Sequence, residues 1–131
     1  QTWALEAMKA GYSKAFVPDA VVFHSHDFGV WETFQRNFDE ARSFERYFGY
    51  EMQSGLPGTL RSAAALAHRD YSWLRQAGLT GVRLFKNSVY MCGIELARTL
   101  GQLFGTRHRS LPSWFQRLAS RDQQMQTKGA T

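Results

Sequence analysis

The spacing of large apolar side chains between residues 30 and 48 constrains the fold of this chain more than any other feature. These side chains recur at steps of three and four residues, at Trp31, Phe34, Phe38, Ala41, Phe44 and Phe48. Such spacing places them on one face of an α-helix, which a folded chain buries. We therefore predict a helix from Val30 to about Tyr47 with this stripe in the core. The alternative use of the same aromatic face is contact with a sugar or a membrane.

Helical patterns also dominate the rest of the sequence. Further helices are predicted over Thr2–Ala10, Leu60–Gln76, Val82–Phe104 and Ser113–Ser120. Thr59 is the predicted N-cap of the second of these, because a threonine hydroxyl can accept a hydrogen bond from a free helical N–H group. Residues 30–120 are thus expected to form a helical region, and the polar residues 121–131 are expected to form a flexible tail.

The first 29 residues show a different pattern. After the first helix, Tyr12–Val17 and the β-branched run Ala20–His24 are predicted strands, separated by a turn at Pro18-Asp19. The expected fold class is therefore α+β, mainly α. Two short strands do not form an independent sheet. Because Gln1 directly precedes a helical pattern, we expect the chain to begin within a longer protein whose sheet these strands join.

Composition and charge narrow the classes of function. Hydrophobic residues make up 44% of the chain, which is enough for a packed core. The single cysteine excludes an internal disulfide. The most apolar long stretch, Val82–Phe104, is interrupted by charges and does not suit a membrane span. The net charge of +5 favours polyanionic partners, namely nucleic acid, anionic lipid headgroups or sugar-nucleotide phosphates.

A histidine pair at the end of the second predicted strand is the densest chemical signal. On a strand, His24 and His26 point to the same face. Imidazole binds divalent transition metals, and the neighbouring Asp27 is expected to orient a ligand histidine or to cap the next helix. The pair alone is not a complete metal site. The other interpretation is a strand-end histidine that is hydrogen-bonded to the backbone.

Several spaced elements of residues 1–48 together resemble one protein family. They are Trp3-Ala4-Leu5, Ala10-Gly11-Tyr12, Val17-Pro18-Asp19-Ala20, His24-Ser25-His26-Asp27-Phe28 and the helical segments Phe34–Asp39 and Ala41–Ser43. This part of the chain resembles the late part of bacterial family 2 glycosyltransferases, most closely the rhamnosyltransferases of surface-polysaccharide synthesis. The likeness covers residues 1 to about 48 well and the remainder loosely.

The resemblance implies a fold and an activity. Residues 1–29 would be one edge of a Rossmann-like GT-A catalytic domain, followed by a helical extension. The full-length parent would be an inverting glycosyltransferase that moves a sugar, rhamnose by the closest likeness, from a nucleoside-diphosphate donor to a growing glycan or lipid-linked glycan. A divalent cation, Mn or Mg, would neutralise the leaving diphosphate. His24 is the first candidate ligand of that metal ion, and His26 is the second.

Other parts of such an enzyme are expected outside this sequence. In the family the catalytic base is an acidic residue just before the tryptophan helix, so we expect it upstream of Gln1. The nucleotide-binding half with its Asp-x-Asp metal motif is expected there as well, and the present segment alone is expected to be inactive. The resemblance implies a cytoplasmic location, with peripheral contact to the inner face of the cell membrane as a further option.

The candidate substrate-binding residues are Trp3, Trp31, Arg36 and Arg42. Trp3 belongs to the segment that matches the family's tryptophan helix. Trp31 follows the histidine pair closely and is suited to stack on a sugar ring. The two arginines are suited to phosphates of the donor or the acceptor. Their other interpretation is a solvated face that is paired with acidic residues of the same helix.

A second class of function fits the charge. Arginines are spread along the predicted helices, and Arg107-His108-Arg109 lies near Trp114, Phe115 and Arg117. A basic helical module of this kind would bind nucleic acid or lie on an anionic membrane surface, without catalysis. No helix-turn-helix, zinc-finger or RNA-recognition signature is present in the sequence, so nucleic acid is not an expected partner.

Overall fold

The computed structural model describes residues 2–22 and 27–128. Within them lie α1 (Thr2–Lys9), α2 (Val30–Phe48), α3 (Leu56–Gln76), α4 (Gly81–Thr106), α5 (Ser113–Ala119) and α6 (Arg121–Lys128). A short 3₁₀ turn, His108–Ser110, precedes α5. Over the part of the chain that is described, none of these helices combines the length and the hydropathy needed to cross a lipid bilayer.

The expected α+β class is wrong, because the described residues contain helices and no strand. Residues 12–17 and 20–22 lie outside helix and sheet, with a turn at Pro18-Asp19 between them. Their strand propensity is not enough, since an isolated segment has no neighbouring backbone with which to form a ladder. The side chains of Phe16 and Val22 are accordingly 90% and 84% exposed. These residues therefore do not form the two-stranded edge of a Rossmann-like domain.

The core lies where α2 and α4 pack side by side and α5 covers one end. Its buried centre consists of Phe34, Phe38, Ala97 and Ala119, with Leu100, Phe104, Leu111 and Phe115 packed around it. The ring of Phe104 lies 6.2 Å from that of Phe34 and 5.6 Å from that of Phe115, between ring centroids. Tilted and edge-on aromatic pairs of this kind add to the energy of apolar burial. The middle of the predicted α2 stripe is thus core, while Trp31 and Phe48 at its ends are exposed.

The close approach of α2 and α4 depends on two glycines of α4. A Cβ atom on Gly101 would overlap the carbonyl oxygen of Phe34, and one on Gly105 would overlap the carbonyl oxygen of Phe38. Because the contacts advance in the same direction along both helices, α2 and α4 run parallel. Larger side chains at these two positions would hold the helices further apart, so the glycines set the interhelical spacing.

Helix α3 packs antiparallel to α4 and starts at Leu56 rather than at the predicted Leu60. Gly55 occupies the N-cap position, and Pro57 lies in the first turn, where its missing N–H group costs no hydrogen bond. The prediction of Thr59 as N-cap is wrong. Its fully buried hydroxyl instead donates to the carbonyl oxygen of Gly55 at 2.8 Å, inside the first turn.

Residues 121–128, expected within a flexible tail, form α6. Asp39 of α2 accounts for this helix, because its buried carboxylate caps the first turn. One carboxylate oxygen accepts from the Ser120 hydroxyl at 2.7 Å, and the other accepts from the backbone N–H groups of Arg121 and the following residue at 2.8 and 3.1 Å. Side-chain acceptors of this kind satisfy N–H groups that have no partner within the helix.

Candidate functional site

The segment after the histidine pair leads directly into α2. Asp27 is exposed and does not cap the helix; Gly29 occupies the N-cap position, and its N–H group donates to the Glu32 carboxylate at 3.2 Å. Phe28 lies beneath the guanidinium of Arg36, whose central carbon is 4.5 Å from the ring centroid. This cation–π contact fixes the chain against α2 immediately after the histidine segment.

A cleft of about 340 Å³ opens beside Phe28, between α2 and α4. Besides Phe28, its lining comprises Thr33, Arg36, Asn37 and Glu40 from α2 and Ile94 and Arg98 from α4. We refer to it as the α2–α4 cleft. It combines guanidinium, amide and carboxylate groups on one concave surface. That set can donate to phosphate oxygens and exchange hydrogen bonds with sugar hydroxyls.

Arg36 is the cation of the α2–α4 cleft best placed to meet a ligand. The other guanidinium, that of Arg98, lies 3.3 Å from the carboxylate of Glu95. Within residues 2–22 and 27–128, no carboxylate comes within ion-pair distance of Arg36. One face of its guanidinium rests on Phe28, which leaves the in-plane N–H donors for an anionic group.

Arg42 lies in a different place. Its guanidinium is 3.0 Å from the carboxylate of Asp39, so this arginine is paired within its own helix. It lines a second polar cleft of about 350 Å³, together with Arg46, Tyr47, His108 and Gln116 among others. The structure therefore does not bring Arg36 and Arg42 to one site.

Trp3 lies in a third place, along α1. It is 75% exposed and lines a groove of about 420 Å³ that is formed by residues 3–14 alone. Trp31 is 48% exposed and stacks on Phe34, with 5.1 Å between ring centroids. Neither tryptophan lines the α2–α4 cleft. Of the four predicted substrate contacts, only Arg36 is thus part of that cleft.

The predicted metal ligands His24 and His26 lie outside the described residues. In the part of the chain that is described, no three His, Cys, Asp or Glu side chains are grouped closely enough to hold a metal ion. In proteins Mg²⁺ is commonly held by one or two carboxylates together with substrate phosphates. The assignment of a divalent cation to His24 or His26 stays a prediction.

Glu95 is a buried acid that sequence reasoning treated only as an interruption of an apolar stretch. Its side chain is 2% exposed, and one carboxylate oxygen has no hydrogen-bond partner among the described residues. Burial raises the pKa of Glu95, the Arg98 guanidinium opposes this shift, and the Asp70 carboxyl adds to it. The sequence signal for this buried acid was the position of a glutamate within the most apolar stretch of the predicted helix.

Lowering the pH is expected to stabilise the protein relative to a Glu95→Gln variant. The folded-state pKa is raised, so between the unfolded and folded values the folded chain binds more protons than the unfolded chain, and stability falls as pH rises. Glutamine carries no charge, so the variant lacks this dependence. Urea denaturation at about pH 5 and about pH 8 measures the difference in unfolding free energy between the two proteins. A difference that does not vary with pH would contradict the assignment.

Comparisons of the chain with models of protein families, with curated proteins and with solved structures find no match. These comparisons assign no family. The resemblance to family 2 glycosyltransferases therefore rests on the sequence run from Trp3 to Ser43. The structure shows in addition the α2–α4 cleft, and one of its lining residues, Phe28, lies two residues after the histidine pair in the sequence.

Proposed function

We propose that this chain is the C-terminal part of a metal-dependent, inverting glycosyltransferase. The enzyme would transfer a sugar, with rhamnose as the first candidate, from a nucleoside-diphosphate donor to a growing surface glycan. The observation that carries this proposal is the run from Trp3 to Phe28, which resembles family 2 enzymes. The nucleotide-binding half and the catalytic base would be encoded upstream of Gln1.

The α2–α4 cleft supports a role in holding a phosphate-bearing sugar. Both the donor and a lipid-linked acceptor carry phosphate next to sugar hydroxyls. The guanidinium of Arg36 offers two parallel N–H donors to phosphate oxygens. Asn37 and Glu40 line the same cleft and suit the hydroxyls of a sugar. In this proposal the cleft positions the substrate, and the reaction takes place beside it.

The exposed apolar residues of the N-terminal segment support a larger parent protein. Trp3, Phe16 and Val22 are 75%, 90% and 84% exposed. Several large apolar side chains left in water within one short segment suit a surface that another domain or protein covers. In this proposal the upstream half of the enzyme covers them. The metal ion is assigned to His24, with His26 as the alternative, by the resemblance alone.

The test is sugar transfer by the protein made from the complete reading frame. With thymidine- or uridine-diphosphate sugars as donors, His24→Ala is expected to lower manganese-dependent transfer by about 100-fold or more. Arg36→Gln is expected to lower it by roughly tenfold or more through loss of phosphate binding. Arg61→Gln is the matched control, because Arg61 is exposed on α3 and lines neither of the two polar clefts nor the groove along α1. Thermal unfolding checks that the variants remain folded.

Two outcomes would count against the proposal at different levels. Unchanged transfer and unchanged manganese affinity in His24→Ala would remove the metal assignment. Absence of any nucleotide-sugar binding by the complete protein, measured by calorimetry, would remove the transferase function itself. Equal losses in Arg36→Gln and Arg61→Gln would show that overall positive charge matters rather than the α2–α4 cleft.

A further inference from the structure

The hairpin formed by α3 and α4 extends beyond the start of α2. A Cβ atom on Gly93 would lie 3.6 Å from the side chain of Val30, so the first residue of α2 is level with the middle of α4. Because α2 and α4 run parallel, the part of α4 before Gly93 has no α2 beside it. From Gly81 to Gly93 this part measures about 18 Å, at about 1.5 Å per residue. Residues 73–92 are termed the hairpin end.

An exposed apolar stripe runs along α4 through the hairpin end. At steps of three and four residues, Val82, Phe85, Val89 and Leu96 are 69%, 69%, 56% and 40% exposed, with the exposed Cys92 between the last two. The same face of the helix continues to Leu100 and Leu103, and there it is packed into the protein. A helix face that is core in one half of α4 is thus open to solvent in the other half.

The hairpin end carries positive charge only. Residues 71–94 contain no Asp or Glu, whereas Arg75, Arg83 and Lys86 are all exposed. Arg83 and Lys86 each directly follow a residue of the apolar stripe, so they lie about 100° around the helix from it. The ion pairs of the described residues include none of these three side chains.

Two arginines of the basic cluster that the sequence suggested have partners within the protein. The guanidinium of Arg107 donates to the carbonyl oxygen of Ser54 at 2.8 Å, and that of Arg109 lies 3.1 Å from the carboxylate of Glu45. These arginines connect the end of α4 and the following turn to α2 and to the loop between α2 and α3. At the hairpin end, by contrast, three basic side chains that form no ion pair among the described residues accompany a continuous exposed apolar stripe.

We propose that the hairpin end lies on the surface of an anionic lipid bilayer. The stripe that starts at Val82 and Phe85 would enter the boundary between headgroups and acyl chains, and the three basic side chains would contact lipid phosphates. Charge complementarity favours a bilayer over a second copy of the chain, since two hairpin ends would place three positive charges against three. This inference does not depend on glycosyl transfer.

Flotation of the whole chain with lipid vesicles tests the proposal. Binding is expected to vesicles of phosphatidylcholine and phosphatidylglycerol, and to be weak with phosphatidylcholine alone. The triple variant Arg75→Gln, Arg83→Gln and Lys86→Gln is expected to bind about 100-fold more weakly, from about fivefold per basic residue. The matched triple variant has the same net charge and carries Arg46→Gln, Arg61→Gln and Arg117→Gln at exposed positions elsewhere. The affinity of this control for the anionic vesicles is expected to fall by less than about tenfold.

Cys92 gives a local measurement, since it is the single cysteine, is exposed and lies on the stripe. A polarity-sensitive dye attached to it is expected to shift its emission to the blue on anionic vesicles. Lack of flotation, equal loss of binding in the two triple variants, or unchanged dye emission in floated protein would each overturn the proposal. So would a dimer in solution that Phe85→Ser abolishes while vesicle binding is unchanged, because the stripe would then pair with a second copy.

Discussion

Replacing Gly101 with alanine is expected to lower the free energy of unfolding by about 2 kcal/mol or more. The added Cβ would overlap the carbonyl oxygen of Phe34 and would lie 3.0 Å from the Cβ of Asn37 and 3.1 Å from the backbone nitrogen of Phe38. Two of these three atoms belong to the backbone of α2, and neither can rotate away as a side-chain tip would. The helices must separate, which loosens the packing of the core on both sides of the contact.

Gly105→Ala is expected to act in the same direction, because its Cβ would overlap the carbonyl oxygen of Phe38 and lie 2.9 Å from the Cβ of Ala41. In both variants the steric loss is partly offset, because alanine favours the helix over glycine by about 1 kcal/mol. The two substitutions move the same pair of helices apart. The double variant is therefore expected to lose less stability than the sum of the losses in the two single variants.

Gly93→Ala is the matched control, because Gly93 lies in the same helix and faces the same neighbour. Its added Cβ would lie 3.6 Å from the side chain of Val30, which is an ordinary van der Waals contact. Only the helix-propensity gain of up to about 1 kcal/mol remains, so this variant is expected to be more stable than the wild type. Urea denaturation followed by circular dichroism gives the three free energies of unfolding. Stabilisation by all three substitutions would show that α2 and α4 do not approach closely.

Much of the helical architecture could be predicted from local pattern. The periodicity of α2 gave its first residue and its end within one residue, and the apolar stretch from Val82 gave α4 within two residues at its C-terminal end. Both helices carry their packing surface within one continuous segment, so apolar spacing is a sufficient signal. The glycine contacts between them depend on the relative position of two helices, which spacing within one helix does not specify.

The errors have physical causes in the surroundings of each segment. The run from Ala20 to Val22 has strand propensity, but the described residues place no strand beside it, and a ladder requires one. The polar residues of α6 have little apolar surface of their own. That helix depends on Asp39, which lies 81 residues before its partner Ser120. Local sequence contains no information about a cap supplied from such a distance.

The candidate site could be predicted only in part. Arg36 was predicted, together with Arg42, as a phosphate contact on the helix that follows the histidine pair, and the structure puts it beside Phe28 in the α2–α4 cleft. Arg42 lies on the same helix, but its partner Asp39 and its cleft are different. A rotation of 100° per residue separates side chains that are close in sequence. Which of them share a cleft depends on the neighbouring helices, and for Arg36 the neighbour is α4.

Asp39→Ala is expected to lower the free energy of unfolding by about 3 kcal/mol, since it breaks a buried network of charged hydrogen bonds. The wild-type residue is 7% exposed, and its carboxylate accepts from the Ser120 hydroxyl, from the N–H of Arg121 and from the N–H of the following residue. It also pairs with Arg42 at 3.0 Å. Alanine leaves the donors without their acceptor and a largely buried guanidinium without its counter-charge.

The loss should be visible locally as well as globally. Because the carboxylate holds the first turn of α6 on α2, amide hydrogen exchange of residues 120–124 is expected to accelerate more than that of α3, which Asp39 does not contact. Glu40→Ala is the matched control: the neighbouring residue is exposed and forms no ion pair among the described residues, so its change in stability is expected to stay within about 0.5 kcal/mol. Asp39→Asn retains one acceptor oxygen and should fall between the two. Uniformly faster exchange along the whole chain in Asp39→Ala, with no excess at residues 120–124, would show that the carboxylate supports the core and does not cap α6.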